Sequence, residues 1–160
     1  MDNVIAISFA DEDTALQALT RLRALDQQSK LAVREARVVE RDAEGRLIVS
    51  TEVDDREPYG AATGAGGILG GVVGAVGGPG TILAGGALGG LVGGSFDVSR
   101  RDEDDTLLAQ FSRHVGPGTT AVLAHVDEPD ESVVDNAMHA LGGAVLRQPT
   151  AEVQAELGGP

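Results

Sequence analysis

The sequence predicts an α+β fold with a glycine-rich insertion, and three observations carry that prediction. Short β-rich apolar runs and amphipathic helical stretches follow one another in a fixed order. They run strand, helix, strand, strand, then helix, strand, helix and a short last strand. Between the third strand and the second helix, residues 60–95 contain no charged side chain and are nearly half glycine. Those glycines recur every four residues. Without the block, the first six elements give the β-α-β-β-α-β order of ferredoxin-like folds, an antiparallel sheet with helices on one face.

Residues 3–9 (NVIAISF) form the first strand pattern. Asp11, Glu12 and Asp13 then place three acids at a helix start, where the helix dipole favours them. Ala15, Leu16, Leu19, Leu22 and Leu25 make the apolar stripe of that helix, to about Asp26. Residues 31–41 predict a long strand whose alternation changes register near Ala36. Residues 42–45 (DAEG) are a turn, and residues 46–53 (RLIVSTEV) return as the second arm of a hairpin. After the insertion, the acidic run at residues 100–105 opens a helix carrying Leu107, Leu108, Phe111 and Val115. Gly116-Pro117-Gly118 stops it. Residues 119–126 (TTAVLAHV) are a strand. Pro129 suits the first turn of a helix carrying Val133, Val134, Ala137, Met138 and Leu141 to a stop at Gly142-Gly143. Residues 144–146 give a short final strand, and the tail from Gln148 reads as partly disordered.

Inside the insertion, Gly66, Gly70, Gly74 and Gly78 keep a four-residue step, and Gly86, Gly90 and Gly94 repeat it after Gly78-Pro79-Gly80. Ile68, Val72 and Val76 follow the same step, with Leu69 and Val73 beside them. Residues four apart stack on one helix face. Each half, if helical, has a bare glycine face and an aliphatic face. Small residues at that spacing let helix backbones meet closely in lipid. The segments of residues 61–78 and 81–94 are both shorter than the roughly twenty residues needed to cross a bilayer. Glycine also costs about 1 kcal/mol of helix propensity per residue. Such helices need either lipid or the dry interior of an oligomer, and the absence of charge favours lipid. Tyr59 and Phe96 bracket the block, as interfacial aromatics do and as core residues also do.

Composition narrows the function classes. A formal charge of −13 over 160 residues repels phosphate backbones, so nucleic acid is not an expected partner. The absence of cysteine excludes disulfides, thiol catalysis and thiolate metal sites. His114 and His139 each sit in the last turn of a predicted helix, beside free carbonyls. His125 lies on a strand, and no histidine pair has metal-ligand spacing. Asp102, Glu103, Asp104 and Asp105 lack the alternating ligand pattern of a calcium loop and read as a helix cap. Asp54, Asp55 and Glu57 flank the other end of the insertion and read as solvated charge. Gly116-x-Gly118-x-x-Ala121 precedes a strand rather than a helix, so it cannot cradle a dinucleotide phosphate. The amino terminus has no secretory pattern.

The glycine block at residues 60–94, the acidic residues 102–105, the run GPGTTAVL at residues 116–123 and Gly142-Gly143-Ala144-Val145 together resemble a bacterial family, domain of unknown function twelve-sixty-nine. The resemblance implies a ferredoxin-like domain with a glycine-zipper hairpin, often in membrane proteins. It implies no catalytic residue.

The expected organisation is a first half-domain at residues 1–57, the hairpin at 58–97, the second half-domain at 98–147 and a flexible tail at 148–160. The expected function is non-enzymatic and structural: self-association through the glycine face, at the cytoplasmic side of a membrane. No cofactor or metal is expected, and lipid and further copies of the chain are the expected partners. A ligand-binding regulatory module anchored by the hairpin, or a soluble homo-oligomer, is the alternative.

Overall fold

Strand alternation in β1 (Asp2–Phe9) divides its apolar residues between two cores. Ile5, Ile7 and Phe9 enter one, and Val4 and Ala6 enter the other. The structure, a computed structural model, describes residues 1–44, 46–50, 67–77, 82–83 and 106–158. In chain order β1 is followed by α1 (Glu12–Gln27), β2 (Ala32–Arg41), β3 (Leu47–Ser50), α2 (Gly67–Gly77) and β4 (Ile82–Leu83). Then come α3 (Leu107–His114), β5 (Thr120–Asp127), α4 (Glu131–His139), β6 (Ala144–Pro149) and α5 (Thr150–Gly158).

The strands lie in the order β4-β3-β2-β5-β1-β6. Five of them form an antiparallel sheet, and β4 adds to β3 in parallel. This α+β architecture is compatible with a ferredoxin-like fold, but not through the elements expected. The interleaved pair of βαβ units is β1-α1-β2 and β5-α4-β6, in the spatial order β6-β1-β5-β2. β3 is instead the outer arm of a hairpin on β2. The insertion into the frame is therefore longer than residues 58–97: β3, α2, β4 and α3 all lie between β2 and β5.

Local sequence chemistry sets the frame. Asp11 caps α1 by accepting from Thr14 N at 2.7 Å, and Ala15, Ala18, Leu19, Leu22 and Leu25 bury its apolar stripe. Asp130 caps α4 by accepting from Ser132 N at 2.9 Å, which leaves Pro129 one residue before the cap rather than in the first turn. Gly142 and Gly118 both have φ of +76°: Gly142 closes α4, where Gly143 N donates to Met138 O at 3.0 Å, and Gly118 is the third residue of the turn into β5, where Thr119 N donates to Gly116 O at 3.0 Å. Asp42 Oδ1 accepts from Arg46 N at 2.8 Å across the hairpin turn. The register irregularity expected in β2 is a bulge between Val33 and Glu35.

Helices cover both faces of the sheet, not one. α1 and α4 close the first core over Ile5, Ile7, Val33, Val38, Val122 and Val126. α2, α3 and α5 close the second, where Leu69 and Val72 of α2, Phe111 of α3 and Val153 of α5 meet Val4, Ala6, Val39 and Leu123. The tail is thus not disordered over the described residues. Gln148 and Pro149 finish β6, and α5 buries Val153 completely.

The first half of the expected glycine hairpin is a helix, α2. In the second half, Ile82 and Leu83 are a strand on the sheet edge, so β3-α2-β4 is a parallel crossover unit rather than the start of a helical pair. Residues 84–94, and with them Gly86, Gly90 and Gly94, lie outside the described residues, as do Gly66 and Gly78. Tyr59, Phe96 and the acidic groups at 54–57 and 102–105 also lie outside them.

Candidate functional site

At 3.6 residues per turn, Ile68, Leu69, Val72, Val73 and Val76 share one side of α2. The first four are buried in the second core and Val76 packs against it. Fully burying one such side chain contributes about 1.5–3 kcal/mol, more than the roughly 1 kcal/mol that one helical glycine costs. Burial is therefore what holds so glycine-rich a segment in helical form. Gly70 and Gly74 fall on the other side of α2 and are part-exposed. Of the seven expected self-association glycines, these two are the ones described, and they do share a face.

Gly71 does a different job. A Cβ there would stand 3.0 Å from Leu157 Cδ1, so its bareness lets α2 approach α5 within the same chain. The amino-terminal turn of α2 is also engaged within the chain: Glu35 Oε2, aimed at this face by the β2 bulge, accepts from Leu69 N at 3.2 Å. α3 receives the same help, with Leu108 N donating to Glu156 Oε2 of α5 at 3.3 Å.

The three histidines are far apart in role. His114 and His139 end α3 and α4 as expected. His114 Nε2 lies 2.7 Å from Ala144 O and so ties α3 to β6. His125 lies on the second face of the sheet, its Nε2 2.6 Å from Asp2 Oδ1. Among the described residues no group of three or more histidine and acidic side chains is placed to hold a metal ion.

The most concentrated charge chemistry is one that the sequence reading missed. Glu128, just past β5, is completely buried. Its Oε1 accepts from Asn3 Nδ2 at 2.9 Å and from Arg147 Nε, and its Oε2 accepts from Arg147 Nη2 at 3.1 Å. Arg147 Nη2 also donates to Asp135 Oδ1 at 2.9 Å and to the Glu131 carbonyl at 3.4 Å. Burial pulls the Arg147 guanidinium down, but hydrogen bonds and charge from Glu128 and Asp135 outweigh that and hold it above its ordinary value. The cluster joins β1, β5, β6 and α4 and is saturated by its own members. No local pattern announces it, because its partners are up to 125 residues apart.

Comparison with protein-family models, with curated proteins and with solved structures finds no match for this chain.

Proposed function

We propose that this chain is a non-enzymatic module that assembles with copies of itself, and that the glycine side of α2 is a contact face. One observation carries the reading. The aliphatic side of α2 is used up inside the chain, while Gly70 and Gly74 remain part-exposed on the other side with no side chain to hold a partner away. A bare helix face permits backbone-to-backbone packing, and any added side chain must enter the contact. A non-catalytic role fits the saturated state of the Glu128–Arg147 cluster, which leaves no nucleophile and base facing one another there.

The environment of that assembly is part of the proposal. Charge is absent from residues 60–95, which favours lipid at the cytoplasmic side of a membrane. Against this, Ile68, Leu69, Val72 and Val73 lie in the chain's own core, and lipid could reach them only if α2 left the sheet. Among the described residues no helix is long and apolar enough to cross a membrane. We therefore favour a soluble homo-oligomer over a lipid anchor.

The test combines Gly70→Leu with Gly74→Leu, with Gln154→Leu on the exposed side of α5 as control. Light scattering in detergent-free buffer is expected to give an oligomer for the unaltered chain and for the control, and a smaller species for the double variant. Equal particle size in all three would sink the contact face. Flotation with phosphatidylcholine vesicles separates the environments: recovery of the unaltered chain with the vesicles would restore the membrane reading.

A further inference from the structure

Among the described residues the sheet ends at β6, and the hydrogen-bond alternation shows what that edge offers. Met1 N donates to Glu128 O at 3.0 Å and Glu128 N donates to Met1 O at 2.8 Å, so the two residues are a bonded pair. Bonded and non-bonded pairs alternate along an antiparallel ladder. Asn3, Ile5 and Ile7 therefore turn their backbone groups to β5, and Val4, Ala6 and Ser8 turn theirs to β6. Gln148, Leu146 and Ala144 are the register partners of those three and point inward. Val145 and Arg147 lie between them and turn N–H and C=O away from the sheet. Folded proteins blunt such an edge with free charge, a bulge, proline or a very short strand. β6 runs for six residues and pairs with β1 in unbroken register. Its one charged side chain, Arg147, is drawn onto Glu128 and Asp135, and its one proline comes last.

We propose that β6 pairs with β6 of a second copy, antiparallel about a two-fold axis at Leu146. The edge is complementary to itself in that register. Val145 of one copy opposes Arg147 of the other, and the outward N–H and C=O groups of each meet those of its counterpart. One step further out, Pro149, which has no N–H, opposes Gly143, whose N–H already donates to Met138 O at 3.0 Å, so no donor is stranded there. Leu146 meets its own copy on the second face as a non-bonded pair, with Cα atoms about 4.5 Å apart. Val145 and Leu146 are part-buried at the margins of the first and second cores, and a neighbouring strand completes their cover. No like charges are opposed, because Arg147 faces Val145 and is neutralised within its own chain. The net charge of −13 resists any meeting of copies, so the pair tightens as salt screens it. This inference deepens the self-association reading, rests on it only for the presence of more than one copy, and uses none of the α2 face.

Cross-linking and light scattering on the full chain test it. The chain has no cysteine of its own, so Leu146→Cys introduces a single thiol that the two-fold pair brings within disulfide reach of its copy. Mild oxidation is expected to convert most of this variant to a covalent dimer, while Gln17→Cys on the exposed side of α1 stays monomeric. Gly70→Leu with Gly74→Leu removes the α2 face, and light scattering on that double variant is expected to give twice the mass of one chain. Adding Val145→Pro is expected to halve it, because proline takes away an outward N–H and no bond to β1. Circular dichroism shows whether Val145→Pro keeps the fold; if it does not, the cross-link decides. Cross-linking at residue 146 no greater than at residue 17 overturns the proposal, as does a folded Val145→Pro variant that stays dimeric. A monomeric double variant also overturns it and leaves the edge to an extended segment of another protein. The α2 reading fails separately: particle size is then unchanged by Gly70→Leu with Gly74→Leu while the cross-link at residue 146 persists.

Discussion

At the scale of single residues, the Glu128–Arg147 pair shows why buried charge is kept only in company. Removing one partner of a buried pair leaves the other uncompensated, which costs about 3–5 kcal/mol. Arg147→Leu should therefore lower stability by about that amount in urea unfolding, and adding Glu128→Leu should recover much of the loss. A single variant as stable as the unaltered chain would show that the cluster is idle. Gly143 is fixed by close contact instead: a Cβ there would lie 2.6 Å from Phe9 Cε1 and 2.8 Å from Ile7 Cγ2. Gly143→Ala should cost about 1–3 kcal/mol by overpacking the first core, read from the same unfolding curves. The helix caps set an acid limit. The Thr14 backbone and hydroxyl donors hold Asp11 below the ordinary carboxylate range, and the Ser132 hydroxyl and backbone donors do the same for Asp130. A carboxyl depressed in the folded state adds stability that is present above its unfolded value and lost as the pH falls through its folded value. Asp11→Asn with Asp130→Asn should therefore flatten the fall of the urea midpoint on acidification, and an unchanged slope would exclude these caps as its source.

At the scale of elements, periodicity made most of the frame legible. α1, β2 with its register irregularity, α3 and α4 follow from apolar spacing, and the acid run at residues 11–13 marks the start of α1; the caps Thr106 and Asp130 differ from the starts expected within residues 100–105 and at Pro129. α5 was not legible. Its amphipathic signal is weak: Val153 and Leu157 are buried and four residues apart, and Thr150, also buried, lies at its start. A helix that short is marginal alone and is held by the core it covers. Ending the chain at Pro149 should expose Gly71 of α2 and remove two buried side chains, a loss of about 3–6 kcal/mol. Thermal melting of the shortened chain checks this; an unchanged midpoint would return α5 to the status of a tail.

For the whole molecule, the two-faced sheet makes the insertion part of the fold and not an appendage. Replacing residues 60–95 by a short linker removes Ile68, Leu69, Val72 and Val73 from the second core. The expected product keeps helical and sheet signal but melts broadly and binds a hydrophobic dye, because Val4, Ala6, Leu123 and Phe111 lose their cover. Sharp melting without dye binding would make the insertion separable. What the sequence alone determined here is local: the kind and order of the frame elements, the acidic start of α1, the turn glycines Gly118 and Gly142, and the four-residue glycine step. These are legible because each rests on neighbours within a turn of helix or across a hairpin. Which strands interleave was decided only in three dimensions, because β3 and β6 each alternate plausibly as a member of the frame. So was the second helical layer. The glycine block offers the same pattern to lipid, to a second copy or to a sheet, and the uncovered Val4, Ala6 and Leu123 face is what draws α2 onto this one.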